Sequence, residues 1–180
     1  MRSPETRSRR TQTRLTIRRR VEGGFQVVRG KQIWIVATPA AGGLRVARGR
    51  STRWFLERVI EAGGTGYVLR AGPRKEAPEA ARSTRLPLGA GRELAGTHFV
   101  VADGRVFVVM ADLNEGLFRL MSWEGFGPYA TIVPKSKGFT FEVTPAGTAL
   151  VDDAELVALL AAELVDDPTR MSGDNDEKEA

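Results

Sequence analysis

The sequence predicts an α+β fold of antiparallel β-meanders, each followed by a packing helix, in two β-β-β-β-α-like halves. Three observations predict it. Short runs of alternating apolar and polar residues recur between Gly- and Pro-rich turns, as half-buried strands require. Two longer stretches, around Phe55–Ile60 and Ala154–Val165, carry apolar residues at helical spacing. The 180 residues contain 42 % hydrophobic and 27 % charged residues, ordinary values for a folded chain.

The chain divides by composition. Residues 1–13 form a basic arm of low hydrophobicity, expected to be disordered. Residues 14–71 make a basic sheet-plus-helix subdomain, and 72–92 a Pro/Gly-rich linker or flap. Residues 93–166 make a second meander with a helix, and 167–180 an acidic tail, also expected to be disordered. Charge follows the same division. Residues 1–92 hold 21 Lys+Arg against 6 Asp+Glu, whereas 93–180 hold 6 against 16. Such asymmetry points to a polyanionic partner.

Leu15 and Ile17 alternate with Thr16 and Arg18 in the first predicted strand. Gly23-Gly24 turns into Phe25–Val28, and Arg29-Gly30-Lys31 into Gln32–Ala37. In that third strand Ile33, Ile35 and Ala37 share one face, which puts Trp34 on the more polar one. A fourth strand, Leu44–Ala47, leads into a predicted helix capped by Ser51 or Thr52. Its stripe is Phe55, Leu56, Val59 and Ile60, and Gly63-Gly64 stops it. Tyr67–Ala71 is another strand. A short helix is considered around Glu76–Arg82 in the linker.

The second half opens on a hairpin. Thr97–Ala102 and Arg105–Ala111 flank Asp103-Gly104, the signal for a two-residue type I′ turn. That turn pairs Val101 with Val106 and Phe99 with Val108. Strands over Leu117–Trp123, Ala130–Val133 and Phe139–Thr144 follow. Asp152 and Glu155 form a capping box for a helix over Ala154–Val165. Its apolar residues are spread so widely that it is either well buried or a homo-oligomer contact through 153–165. This twice-stated order of strands then helix resembles the topology of the Whirly and PUR single-strand-binding folds. No motif accompanies the resemblance, and no residue is carried over from it.

Several chemistries find no support in the residues. Without cysteine there is no disulfide, thiolate metal site or cysteine nucleophile. Gly24–Lys31 has the wrong glycine spacing for a phosphate-binding P-loop, with Gln32 where Ser or Thr belongs. Gly89-Ala90-Gly91 lacks the third glycine of a dinucleotide fingerprint. His98 is the single histidine, and no nucleophile elbow surrounds any serine. Asp152-Asp153 and Asp166-Asp167 sit at helix ends, and Asp174–Glu177 lacks the glycine of a calcium loop. No enzymatic activity, metal or cofactor is therefore expected. No run of about 18 apolar residues suggests a membrane span.

The functional expectation is a nucleic-acid-binding protein that takes single-stranded or structured DNA or RNA without sequence specificity. Arg9, Arg10, Arg14, Arg18, Arg19 and Arg20 of the arm and first strand are expected on phosphates. Arg45, Arg48 and Arg50 join them, and Trp34 offers a stacking platform. The alternative is a structural or assembly protein, such as a viral or phage component, whose basic arm contacts nucleic acid or an acidic partner. A cytoplasmic or nucleoid-associated location is expected, with organellar import as the lesser alternative.

Overall fold

A computed structural model describes residues 13–61, 64–85 and 97–166. Twelve antiparallel strands form a closed barrel in which every strand pairs with its sequence neighbours and β1 pairs with β12. The strands are β1 (Arg14–Arg19), β2 (Phe25–Arg29), β3 (Gln32–Ala40), β4 (Gly43–Arg48), β5 (Ser51–Glu61) and β6 (Gly64–Arg70). They continue with β7 (Glu79–Arg85), β8 (Thr97–Val101), β9 (Val106–Asp112), β10 (Leu117–Ser122), β11 (Ala130–Lys135) and β12 (Gly138–Val143). A 3-10 segment, Pro145–Asp152, then leads to one helix, α1 (Ala154–Asp166).

The helix lies in the lumen. Ala154 and every residue from Leu156 to Val165 are buried, and α1 packs mainly against β2, β6, β7 and β8. The physical reason is the strand number. Side chains alone fill a barrel of about eight strands, and wider barrels enclose space. Twelve strands leave room for a helix, which is about 10–12 Å across with its side chains. A helix that is apolar on every side needs such an enclosure. The breadth of apolar residues on this helix is thus explained by burial of Ala154 and of every residue from Leu156 to Val165. The inward residues of β7, Ala81 and Ser83, are small and buried, so this wall can approach the helix.

The α+β expectation is corrected in three places. First, the predicted helix after Leu44 is strand β5. Trp54 and Leu56 point into the lumen and pair opposite Val46 and Leu44 of β4, while Glu57 lies on the outer wall. Aromatic and β-branched residues favour the strand, and the i, i+1, i+4, i+5 pattern fits a strand buried on both faces as well as a helix. Second, the segment considered as a helix around Glu76–Arg82 runs into β7, which pairs with both β6 and β8. The two expected halves therefore share one sheet, and the repeated strands-then-helix order of the Whirly and PUR folds is absent.

Third, the 97–111 hairpin is shifted by one residue. Phe99 pairs with Phe107, His98 with Val108 and Val100 with Val106. The loop has three residues, Ala102–Gly104. The Gly104 N–H donates to the Val101 carbonyl at 2.9 Å, and Gly104 takes a φ of 80°. This is the type I turn followed by a left-handed glycine. Asp103 accepts from the Arg105 N–H at 3.0 Å, which holds the wider loop. A one-residue slip exchanges the two faces of a strand. Phe107 and Val109 consequently enter the core, whereas Met110 is exposed.

Polar groups tie the helix to its wall. Asp153, rather than Asp152, caps α1, accepting from the Leu156 N–H at 3.1 Å. Near this end Trp54 Nε1 donates to Glu155 at 3.2 Å. At the other end the Arg19 guanidinium donates to the Val165 carbonyl. Between them Glu163 is fully buried and accepts from Ser83 Oγ at 2.6 Å, while Ser83 Oγ accepts from the Tyr67 N–H at 2.9 Å. Removing this donor with Ser83→Ala is expected to lower unfolding stability by about 1–3 kcal/mol, read from urea denaturation. An unchanged midpoint would show that the Ser83–Glu163 contact contributes nothing.

Glu155 has its acidity weakened chiefly by burial, opposed by the Trp54 N–H and reinforced by Asp153 and Asp103. Its folded-state pKa is raised, so its contribution is favourable below the unfolded value, about 4.3, and is lost as pH rises through the folded value. Glu155→Gln keeps an acceptor for Trp54 and removes that loss. Its melting temperature should exceed that of the parent at pH 7, with the difference closing towards pH 4. Parallel melting curves across this range would contradict the argument.

Candidate nucleic-acid interface

Because the strands run in sequence order, a division along the chain becomes a division around the barrel. The basic stretch forms one continuous arc, β1 to β7, and the acidic stretch forms β8 to β12. The lower mouth of the barrel carries the β2–β3, β4–β5 and β8–β9 turns, the start of β1 and the N-terminus of α1. The upper mouth carries the β1–β2 turn and the C-terminus of α1.

A cleft of about 640 Å³ opens on the basic arc at the lower mouth. Its lining comprises Arg29, Gln32, Ile33, Trp34, Arg48, Gly49 and Arg53. The guanidinium carbons of Arg29 and Arg48 both lie 5.6 Å from the centre of the Trp34 ring, within cation–π range. Two irregularities in the sheet build the arrangement. Val27 pairs with Ile35 and Val28 with Ile33, so Trp34 is the extra residue of a β-bulge. Val46 pairs with Trp54 and Ala47 with Thr52, so Arg53 is the extra residue of a second one. Bulges re-aim side chains, and here both unpaired residues line the same cleft.

The hairpin turn between β4 and β5 is tight. Arg48 pairs with Ser51 across Gly49 and Arg50, and Gly49 adopts a φ of 66°. Arg50 thereby stands at the tip, exposed, next to the cleft. Arg29 also binds Asp152 at 2.8 Å through an exposed pair. Exposed pairs of this kind are worth about 0–1 kcal/mol, so an incoming anion can replace Asp152 at small cost.

Trp34, Arg48 and Arg50 of the expected set are thus brought together. Arg14 lies at the start of β1 and pairs with Glu142 at 2.9 Å. Arg45 is exposed on the outer wall opposite Thr38 and Phe55, away from the cleft. Arg18 is exposed on β1 towards the upper mouth. Arg19 is committed to the Val165 carbonyl, and Arg20 pairs with Glu22 at 3.3 Å. Arg9 and Arg10 lie outside the described residues. Sequence reading missed Arg29 and Arg53 as cleft residues. Arg29 falls in the expected Arg29-Gly30-Lys31 turn, and Arg53 in the first turn of the expected helix.

Other chemistry-bearing groups have structural settings. His98 stacks edge-on against Trp123 at 4.6 Å, and its Nε2 is buried without a partner. Burial holds its pKa below the ordinary value. Glu57 is held more acidic than usual, first by Lys75, which reaches it at 3.0 Å, and also by Arg70. Among the described residues no cluster of His, Asp and Glu is arranged to hold a metal ion, and no helix is long and apolar enough to cross a membrane. Comparison with protein-family models, curated proteins and solved structures finds no match for this chain.

Proposed function

We propose that this protein binds nucleic acid without sequence specificity, with the Trp34 cleft as the centre of the interface. The observation that carries the reading is the placement of Arg29, Arg48 and Arg53 around one tryptophan by two adjacent bulges. Guanidinium groups pair with phosphate oxygens in a planar fork and stack on aromatic faces, and both properties are used here. Trp34 fixes two of the guanidiniums, which reduces the rotamer freedom lost on binding, and its ring suits an unstacked base. β1 begins at the same mouth, with Arg14 exposed there. Among the described residues the single long helix is enclosed, so no recognition helix is presented to a groove. Single-stranded or structured DNA or RNA is the favoured target.

The test is anisotropy of labelled single-stranded DNA and RNA at rising salt. The expected affinity falls with log salt at a slope of about −0.7 per phosphate contact, and three or more contacts are expected. Absence of binding to both polymers at about 50 mM salt would overturn the reading. A second reading, an assembly component, is favoured by Trp123 and Phe126, which are 58 % and 68 % exposed near the lower mouth. A large symmetric particle in size-exclusion chromatography, with no salt-dependent binding, would select it.

A further inference from the structure

The upper mouth holds a second cavity, of about 520 Å³, at the opposite end of the barrel from the Trp34 cleft. This is within the range of about 300–1,000 Å³ typical of small-molecule sites. Phe25, Leu44, Leu56 and Val165 provide an apolar floor, and Arg19, Arg20 and Arg58 stand around it. The three arginines differ in their commitments. Arg19 caps the helix through the Val165 carbonyl. Arg58 has a contact of its own. Arg20 meets Glu22 at 3.3 Å, but the Glu22 side chain is 73 % exposed and holds it loosely. The other terminal nitrogen of Arg20, Nη1, is buried with no hydrogen-bond partner. A buried donor without an acceptor costs about 1–3 kcal/mol, and more when charged. From the cavity, an oxyanion that replaces Glu22 on the Arg20 guanidinium would pair with it at small cost, and an apolar body attached to it would lie along the floor.

We propose that the upper mouth binds a small amphipathic oxyanion, with a carboxylate or phosphate head on Arg20 and an apolar body against Leu44, Leu56 and Val165. The site is independent of the nucleic-acid reading. It shares no lining residue with the Trp34 cleft.

Calorimetric titration of the full chain with octanoate, octyl phosphate and octanol tests the proposal. At least one of the two anions is expected to bind with one-to-one stoichiometry, about tenfold or more tighter than octanol. The tighter of the two identifies the head group. Arg20→Gln should lose about tenfold or more of that affinity, and Trp34→Ala should retain it. If Arg20→Gln does not fold by circular dichroism, the anion-against-alcohol comparison on the unaltered chain decides, together with Arg58→Gln, expected to weaken the anion about threefold. Equal binding of octanol, no binding of either anion, or full affinity in a folded Arg20→Gln protein would each overturn the proposal.

Discussion

Leu159→Asp is expected to abolish the cooperative fold. Leu159 is completely buried on α1, in the lumen. A carboxylate there loses its hydration and gains no cation made for it. The effective penalty is several kcal/mol per ion, against a total stability of about 5–15 kcal/mol. The milder Leu159→Ala removes apolar contacts and leaves a cavity, at an expected cost of about 2–5 kcal/mol. Glu124→Ala, at an exposed position between β10 and β11, is the control, expected to change stability by no more than about 0.5 kcal/mol. Urea denaturation followed by near-ultraviolet circular dichroism reads all three. If Leu159→Asp kept the parental midpoint, the helix would not occupy the lumen.

The largest effect on binding is expected from Trp34→Ala, Arg48→Ala and Arg53→Ala combined. Aromatic stacking with a base is worth about 1–3 kcal/mol, and each charged hydrogen bond lost to phosphate about 1.5–3 kcal/mol in a well-formed site. Part of this is replaced by water and by the basic arm, so a net loss near 3 kcal/mol, about a hundredfold, is expected at low salt. The salt slope should also become shallower by about 0.7 for each phosphate-contacting arginine removed. Arg48 and Arg53 are exposed, but Trp34 is half-buried against the core, so binding is compared at a temperature where circular dichroism shows the variant folded. Arg45→Ala, which lies away from the cleft, is expected to lose less than about threefold. Equal losses from Arg45→Ala and Arg48→Ala would indicate a diffuse basic surface in place of a defined cleft.

Much of the local structure was legible because the strands obey simple alternation. Leu15 and Ile17 face inward as their spacing implies, and so do Ile35 and Ala37. The helix over Ala154–Val165 was legible from its length and its Leu- and Ala-rich composition. The class was misread at β5 and β7. Trp54, Phe55 and Leu56 are consecutive and all buried, so alternation vanishes and a helical stripe fits equally well. In β7 the inward residues are Ala81 and Ser83, which give no hydrophobic signal. They are small because a helix passes beside them, and that is a fact about a distant part of the chain. Closure of β1 onto β12 is likewise a long-range pairing that no local pattern announces.

The candidate site was legible in its charge and in Trp34, but not in its boundaries. Arg53 enters the cleft as the extra residue of one bulge, and Arg29 stands at the end of β2 over the Trp34 that the other bulge displaces. Arg19 and Arg45 carry the same charge as Arg48, yet the barrel turns one towards the helix end and the other onto open wall. Basic residues adjacent in sequence thus reach different surfaces.

The order of the elements along the chain has a consequence for biosynthesis. The interior of this barrel is made last. While the strands emerge from the ribosome, each hairpin can form, but their inward faces have nothing to cover, and β1 must wait for β12 before the seam closes. Domains usually fold from the N-terminal end as they are made. Here Phe25, Ile35 and Leu69, all buried in the finished molecule, remain uncovered until α1 arrives. Nascent chains stalled before Ala154 should accordingly engage a holdase chaperone, and release should follow synthesis of the helix. The helix that fills the lumen thereby acts as a completion signal, committing the chain to its native state only after all twelve strands exist.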